Sequence, residues 1–219
     1  MAVKDLITTI EEIIDDPSLN KRILPMLNVA QRHFANKYDL PLLDVVGTVE
    51  TTVDDFKVAL PTNYMKGLWH VGSQKQKLRI GSPDNGENNP NYGFPRFLKR
   101  FPVPSVSLGG IVAVAVKGNE LWYQGVEVDT LNLHYFAKPD PLTVDSTATS
   151  LPSHLEEDLL VNFVCWRMYG VIEDGIEGAK TDTLFYQGLL ALAEAELAAF
   201  VPNRGEPMYV TDDCDSIYD

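Results

Sequence analysis

Apolar positions in the first 44 residues recur at helical spacing. Leu6, Ile7, Ile10, Ile13 and Ile14 lie one, three and four apart, which predicts an amphipathic first helix. Asp16-Pro17 ends it, and the same pair suits the start of a second helix with Pro17 in its first turn. In that helix Ile23, Leu27, Ala30, Phe34 and Tyr38 share a face. Pro25 falls inside the pattern, so the helix either begins near it or kinks there. From about Val45 to Phe136 the period becomes two. Val46 to Val53 is rich in β-branched residues, Asp54-Asp55 is a turn, and Phe56, Val58 and Leu60 alternate with Lys57 and Ala59. Val112, Val114 and Val116 alternate again, and a Lys117-Gly118-Asn119 turn leads to Leu121 and Tyr123. Leu131, Leu133 and Tyr135 mark a further strand. The helical period returns at Leu151. Ser153 and Glu156 have the spacing of a capping box, and Leu155, Leu159, Phe163 and Trp166 follow on one face. Glu173 to Gly178 interrupts that helix. A last one runs from about Thr181 to Phe200 with Leu189, Leu192, Ala193 and Leu197 on its face.

Two helices therefore precede the strands and two follow them, and neither pair alone buries enough surface to be stable. The expected class is α+β. It is a four-helix bundle formed by the N- and C-terminal helical pairs, residues 1–44 with 149–200, with an inserted antiparallel β subdomain, 45–148, and an extended C-terminal tail, 201–219. Residues 81–95 form a long irregular stretch inside the insertion, of the kind that is usually functional or disordered.

The 219 residues suffice for one large core or a core plus an inserted subdomain. Apolar residues at 45% and charged residues at 22% exclude wholesale disorder. The formal net charge of −13 argues against non-specific nucleic-acid binding, which draws on basic excess. Cys165 lies in a hydrophobic helical stretch and Cys214 in an acidic segment, which predicts two free thiols in a reducing compartment. No signal peptide opens the chain and no apolar run reaches the roughly 18 residues of a membrane span, so a soluble protein made in a cytoplasm is expected.

Catalytic motifs are sought without success. Gly175 to Thr181 resembles a piece of a phosphate loop, but Ala179 stands where glycine must precede Lys180, and the flanks are helices rather than a strand and a helix. His154-Leu155-Glu156 echoes the H-x-E of zinc deaminases without a C-x-x-C partner. His33, His70, His134 and His154 lack metal-ligand spacing, and no G-x-S-x-G is present. The expectation is no catalytic residue, no cofactor and no metal.

Two segments look like interaction surface. Lys75, Lys77 and Arg79 are two apart and share one strand face, opposite Leu78 and Ile80. Arg96, Phe97, Lys99 and Arg100 interleave basic and aromatic side chains soon after. Between residues 75 and 100 six basic side chains face only Asp84 and Glu87. A solvated strand face with a hydrophobic anchor is one account of this, and a contact for an acidic partner is the other. Among partners, a protein is favoured over DNA because no nucleic-acid signature accompanies the patch. The tail sets Asp212 and Asp213 among Met208, Tyr209, Val210, Ile217 and Tyr218. A merely disordered tail has little use for such apolar residues, so a segment that orders on a partner is expected.

The whole order of elements resembles the head-to-tail adaptor (connector) proteins of tailed phages. The likeness rests on Leu27-Asn28-Val29-Ala30-Gln31 with Leu40-Pro41, Leu60-Pro61-Thr62-Asn63-Tyr64, Gly118 to Tyr123, Leu131 to Pro139, Leu151-Pro152, and Tyr169 to Gly178 leading into Ala179 to Thr183. None of these is a catalytic signature. The resemblance implies a homo-oligomeric, dodecameric ring in the virion at the head–tail junction. The ring would dock under the portal protein, extend the DNA channel and hold a distal tail or nozzle protein, with DNA passing without specific binding and no membrane involved. A tail-completion or baseplate protein of similar build is the nearest alternative, and a small hydrolase with an unseen site is the alternative of another class.

Overall fold

The computed structural model describes residues 2–53, 55–73, 79–80 (backbone only), 110–111, 113–125, 128–173 and 181–201. Helix α1 spans Val3–Ile14 and α2 Asn20–Lys37, followed by a short 3-10 turn at Pro41–Leu43. The strands are β1 Asp44–Glu50, β2 Lys57–Ala59, β3 Tyr64–Ser73, β4 Arg79–Ile80, β5 Ala113–Lys117, β6 Glu120–Tyr123 and β7 Thr130–Ala137. Helix α3 spans Glu156–Ile172 and α4 Thr181–Phe200. The class is α+β, with helices at both ends of the chain and strands between them.

Met1–Val45, Asn63–Lys66 and Phe136–Pro202 form one compact unit, and Val46–Thr62 with Gly67–Tyr135 belong to a second. In the first, all four helices contribute to one hydrophobic cluster. Leu6 and Ile10 of α1, Leu27 and Phe34 of α2, Leu159 and Val164 of α3, and Leu197 of α4 are completely buried in it. Helix α3 packs against each of the other three helices. Its residues from Leu159 to Cys165 are buried without a break, so it is enclosed on every side where a surface helix would show a polar face.

The α1–α2 junction departs from expectation. Asp15 closes α1 in the left-handed conformation at φ 48°, a geometry that Asp and Asn adopt more readily than most residues. Asp16 does not cap α2. Its Oδ1 accepts from the Ser18 N–H at 2.9 Å in a local turn, and α2 opens after Leu19 with no side-chain cap. Pro25 neither starts α2 nor lies in its middle. It is the sixth residue, just past the turn whose N–H groups lack helical partners in any case, so only an early hydrogen bond is lost. At α3 the N-cap position is Leu155, which makes no side-chain cap, and Ser153 belongs to the turn before it. Glu156 Oε2 accepts from Thr149 Oγ1 at 3.0 Å.

Two amides in α2 hold the segment that leads from β7 to α3. Asn28 donates through Nδ2 to the Leu142 carbonyl at 3.0 Å and accepts at Oδ1 from the Leu142 N–H at 2.7 Å. Gln31 is buried, donates to the Asp140 carbonyl at 2.9 Å and accepts from the Ser150 N–H at 3.0 Å. A segment without regular structure cannot satisfy its own backbone groups, so the two side chains supply what a ladder would. Val3 N–H donates to Ser146 O at 3.0 Å and secures the same segment at the start of α1.

The strands make two sheets, of order β1-β7-β3 and β2-β6-β5-β4. Strand β6 is antiparallel to β2 and to β5, with Leu121 opposite both Val58 and Val116. A two-residue turn joins β5 to β6. Gly118 at φ 61° occupies its first central position, where only glycine sits without strain. Strand β4 departs from the expected all-antiparallel insertion, for it pairs with β5 in parallel, Arg79 opposite Ala113 and Ile80 opposite Val114. A parallel pair cannot be joined by a tight hairpin, and residues 81–112 lie between the two strands in the sequence. Within the second unit the completely buried Tyr123 accepts from the Thr52 N–H at 2.9 Å through its hydroxyl. Ala113 N–H donates to Gln124 Oε1 at 2.8 Å.

Candidate functional site

The described residues of the helical unit line a cleft. It encloses about 460 Å3 and is lined by Pro41 and Leu42, by the stretch Thr147–His154, and by Glu156 and Phe200. The His154 ring meets Phe200 at 4.9 Å between centroids. Thr147, Ser150, Ser153, His154 and Glu156 are among its lining residues, so it is the natural place to look for a nucleophile and base. Glu156 is turned to Thr149, and no hydrogen bond joins a described hydroxyl to His154.

Other polar groups are engaged in holding elements together. Lys37 and Glu194 pair between α2 and α4, and His33 Nε2 lies 3.5 Å from the same carboxylate. Lys57 and Glu120 pair at 2.6 Å across β2 and β6, which holds the Glu120 carboxyl below its usual range. Lys66 reaches Asp39 at 3.1 Å. Burial pushes the Cys165 thiol up to about 12, so it is a protonated core residue rather than a nucleophile. Tyr169 and Tyr186 stack at 5.4 Å, and burial raises both phenols. Among the described residues no group of three or more His, Cys, Asp or Glu is arranged to hold a metal ion. His70 and His134 meet edge to face at 5.1 Å beside Trp69, which is half exposed.

Much of the exposed surface of α4 is apolar. Leu190, Ala193 and Leu197 face the core, while Leu184, Phe185 and Leu192 are 62%, 57% and 67% exposed. Leu192 was expected on the core face with Ala193, and the structure places it outside. The core stripe instead follows the spacing of three and four through Leu190, Ala193 and Leu197, and Leu189 is only partly buried. The helix is rich in Leu and Ala on every side, so periodicity could not choose between its faces.

Of the interaction residues expected from sequence, Lys75, Lys77, Arg96, Phe97, Lys99 and Arg100 lie outside the described residues, as do Met208, Tyr209, Val210, Asp212, Asp213, Ile217 and Tyr218. Arg79 is described through its backbone, at the edge of the four-stranded sheet in β4. Cys214 and the Glu173–Gly178 break beyond Glu173 also lie outside.

Among the described residues no metal-binding cluster is assembled, and the exposed face of α4 is largely apolar. The family model described as SU10 adaptor protein matches residues 1–207. The chain belongs to this family of phage head-to-tail adaptors. No curated protein matches the chain. As a member of a structural family, the adaptor serves in the virion at the head–tail junction, where it interacts with portal and tail proteins. Among the described residues no helix of the adaptor is long and apolar enough to cross a membrane. The matched span includes the basic stretch of residues 75–100 and the Asn28 and Gln31 amides, and it stops before Met208.

Proposed function

We propose that copies of this adaptor close into a dodecameric ring beneath the portal, extend the DNA channel and present a platform to the next tail component, a distal tail or nozzle protein. The observation that carries the proposal is the family match over residues 1–207. The net charge of −13 supports it, because a channel of the same sign as the phosphate backbone lets DNA pass without retaining it. In this reading Lys75, Lys77, Arg79, Arg96, Phe97, Lys99 and Arg100 face a protein partner, since a local basic excess on an acidic chain steers an acidic surface toward it. Met208, Tyr209, Val210, Asp212, Asp213, Ile217 and Tyr218 belong to an assembly segment that meets the portal.

The test is to mix the full chain with its purified portal and image the complex by electron microscopy. A ring of adaptor copies coaxial with the portal is the expected result, and a portal that recruits no adaptor sinks the proposal. Reversing the charge of Lys77 and Arg79 together should weaken that docking while leaving the melting temperature nearly unchanged, as for exposed charges generally. Unaltered docking would remove the basic stripe from the interface.

A further inference from the structure

We infer that the outward face of α4 is the seam on which one copy of this chain packs against the next. The inference rests on the ring reading above and names the surface that closes it. On the wheel of α4, Leu184, Gly188, Ala191, Leu192 and Ala195 fall on the arc opposite the buried Leu190, Ala193 and Leu197. All of that arc is exposed, and it holds no charge. Exposed charges on α4 are confined to Asp182 near its start and Glu196 at the margin of the arc. A broad apolar helix face normally has protein against it, and among the described residues the core covers α4 only on the side of Leu190, Ala193 and Leu197.

Gly188 supplies a second, independent observation. Glycine weakens a helix relative to alanine, so a mid-helix glycine calls for a reason. Among the described residues nothing lies within 4 Å of the position its Cβ would occupy, so these residues give none. Gly188, Ala191 and Ala195 are spaced by three and four, which lays small residues in a row where another helix backbone can come close, flanked by Leu184 and Leu192 as knobs.

Charge and area choose the occupant. Two copies of a −13 chain repel, so their contact must lie where carboxylates are scarce, and this face meets that demand in a chain with 31 acidic residues. A partner of another sequence has no such restriction. A helix of 20 residues is about 30 Å long, and half the girth of a cylinder about 10 Å across gives it a face of roughly 450 Å2. That is short of the roughly 800 Å2 per partner of a stable free-standing pair. A seam of this size suits a contact repeated around a closed ring, where each copy is held by two neighbours.

The experiment uses the full chain and two charge-neutral variants, Gly188→Gln and Leu192→Gln, with mass followed by sedimentation as concentration rises to the solubility limit. The wild type should associate with increasing concentration, and both variants should shift that association to concentrations higher by roughly tenfold or more. Gly188→Gln should at the same time raise the melting temperature, because the free helix gains a better helix former. Loss of assembly with gain of stability is a combination that a purely intramolecular role for Gly188 does not produce. A photo-crosslinker at Leu192 in assembled particles should yield dimers of this chain. Crosslinks to the portal alone would overturn the choice of a second copy. Variants that associate like the wild type would overturn the seam and leave the ring standing, whereas a wild type that stays monomeric both alone and on the portal would overturn the two together.

Discussion

At the residue scale, the informative side chains are those that satisfy backbone groups far away in sequence. Asn28 meets both backbone groups of Leu142, 114 positions along the chain. Replacing it with alanine leaves a carbonyl and an N–H without that partner in a partly buried setting. The Asn28→Ala variant should lose about 2 kcal/mol, read as a lower midpoint in urea unfolding. Asn28 and Gln31 both stand in the Leu27-Asn28-Val29-Ala30-Gln31 stretch that carried part of the family resemblance. The hydrogen bonds give that stretch a physical role that periodicity alone did not. Cys165 offers a second test at this scale. In a Cys214→Ser background its thiol should ignore a disulfide reagent at pH 8 while the chain is folded and react fully in denaturant. Its ionisation also fixes a pH trend. The folded thiol holds its proton to about 12, whereas the unfolded thiol releases it near 9.0, so between those values the unfolded chain binds fewer protons. Stability should fall as pH rises through that window, with no contribution below it.

At the element scale, the start of α4 is held by the end of α3. Glu173 closes α3 and accepts from the backbone N–H groups of Asp182 and Thr183, both at 3.1 Å, with the Thr183 hydroxyl also donating to it. A carboxylate there meets two orphan donors and the positive end of the α4 dipole together. Glu173→Ala should cost about 1 kcal/mol and speed amide exchange in the first turn of α4, with a smaller effect for Glu173→Gln, which keeps an acceptor and loses the charge. Unchanged exchange at Asp182 and Thr183 would refute the cap. The same element shows why a strong apolar pattern misleads. Core-facing and outward positions of α4 are both Leu and Ala, so the sequence marks a helix clearly and its buried face poorly.

At the scale of the whole molecule, the clearest pattern is the return of the chain. Helices α1 and α2 come first, α3 and α4 last, and all four meet in one cluster built around α3. Val201 is the last described residue, and the cluster of the described residues includes it. Ordering an extended segment costs about 1–2 kcal/mol per residue, so contacts from a partner must offset it. Truncation after Val201 should therefore leave a folded protein with a nearly unchanged melting temperature that no longer binds the portal. A truncated chain that docks like the full one would assign the joint elsewhere.

The sequence by itself determined the order and kind of most elements, because a period of 3.6 or of two is written locally by which side chains avoid water. It marked the helices 3–14, 20–37, 156–172 and 181–200 within a few residues, and the strands of Val58, Leu121 and Leu133. It also carried the family likeness that the match over residues 1–207 bears out. Only the tertiary structure decided that Leu192 points outward, that β4 runs parallel to β5, that Asp16 makes a turn instead of a cap, and that Asn28 and Gln31 clip a segment more than a hundred residues away. Each of these depends on which groups distant in sequence compete for the same space or the same hydrogen bond, and a local pattern holds no record of that competition.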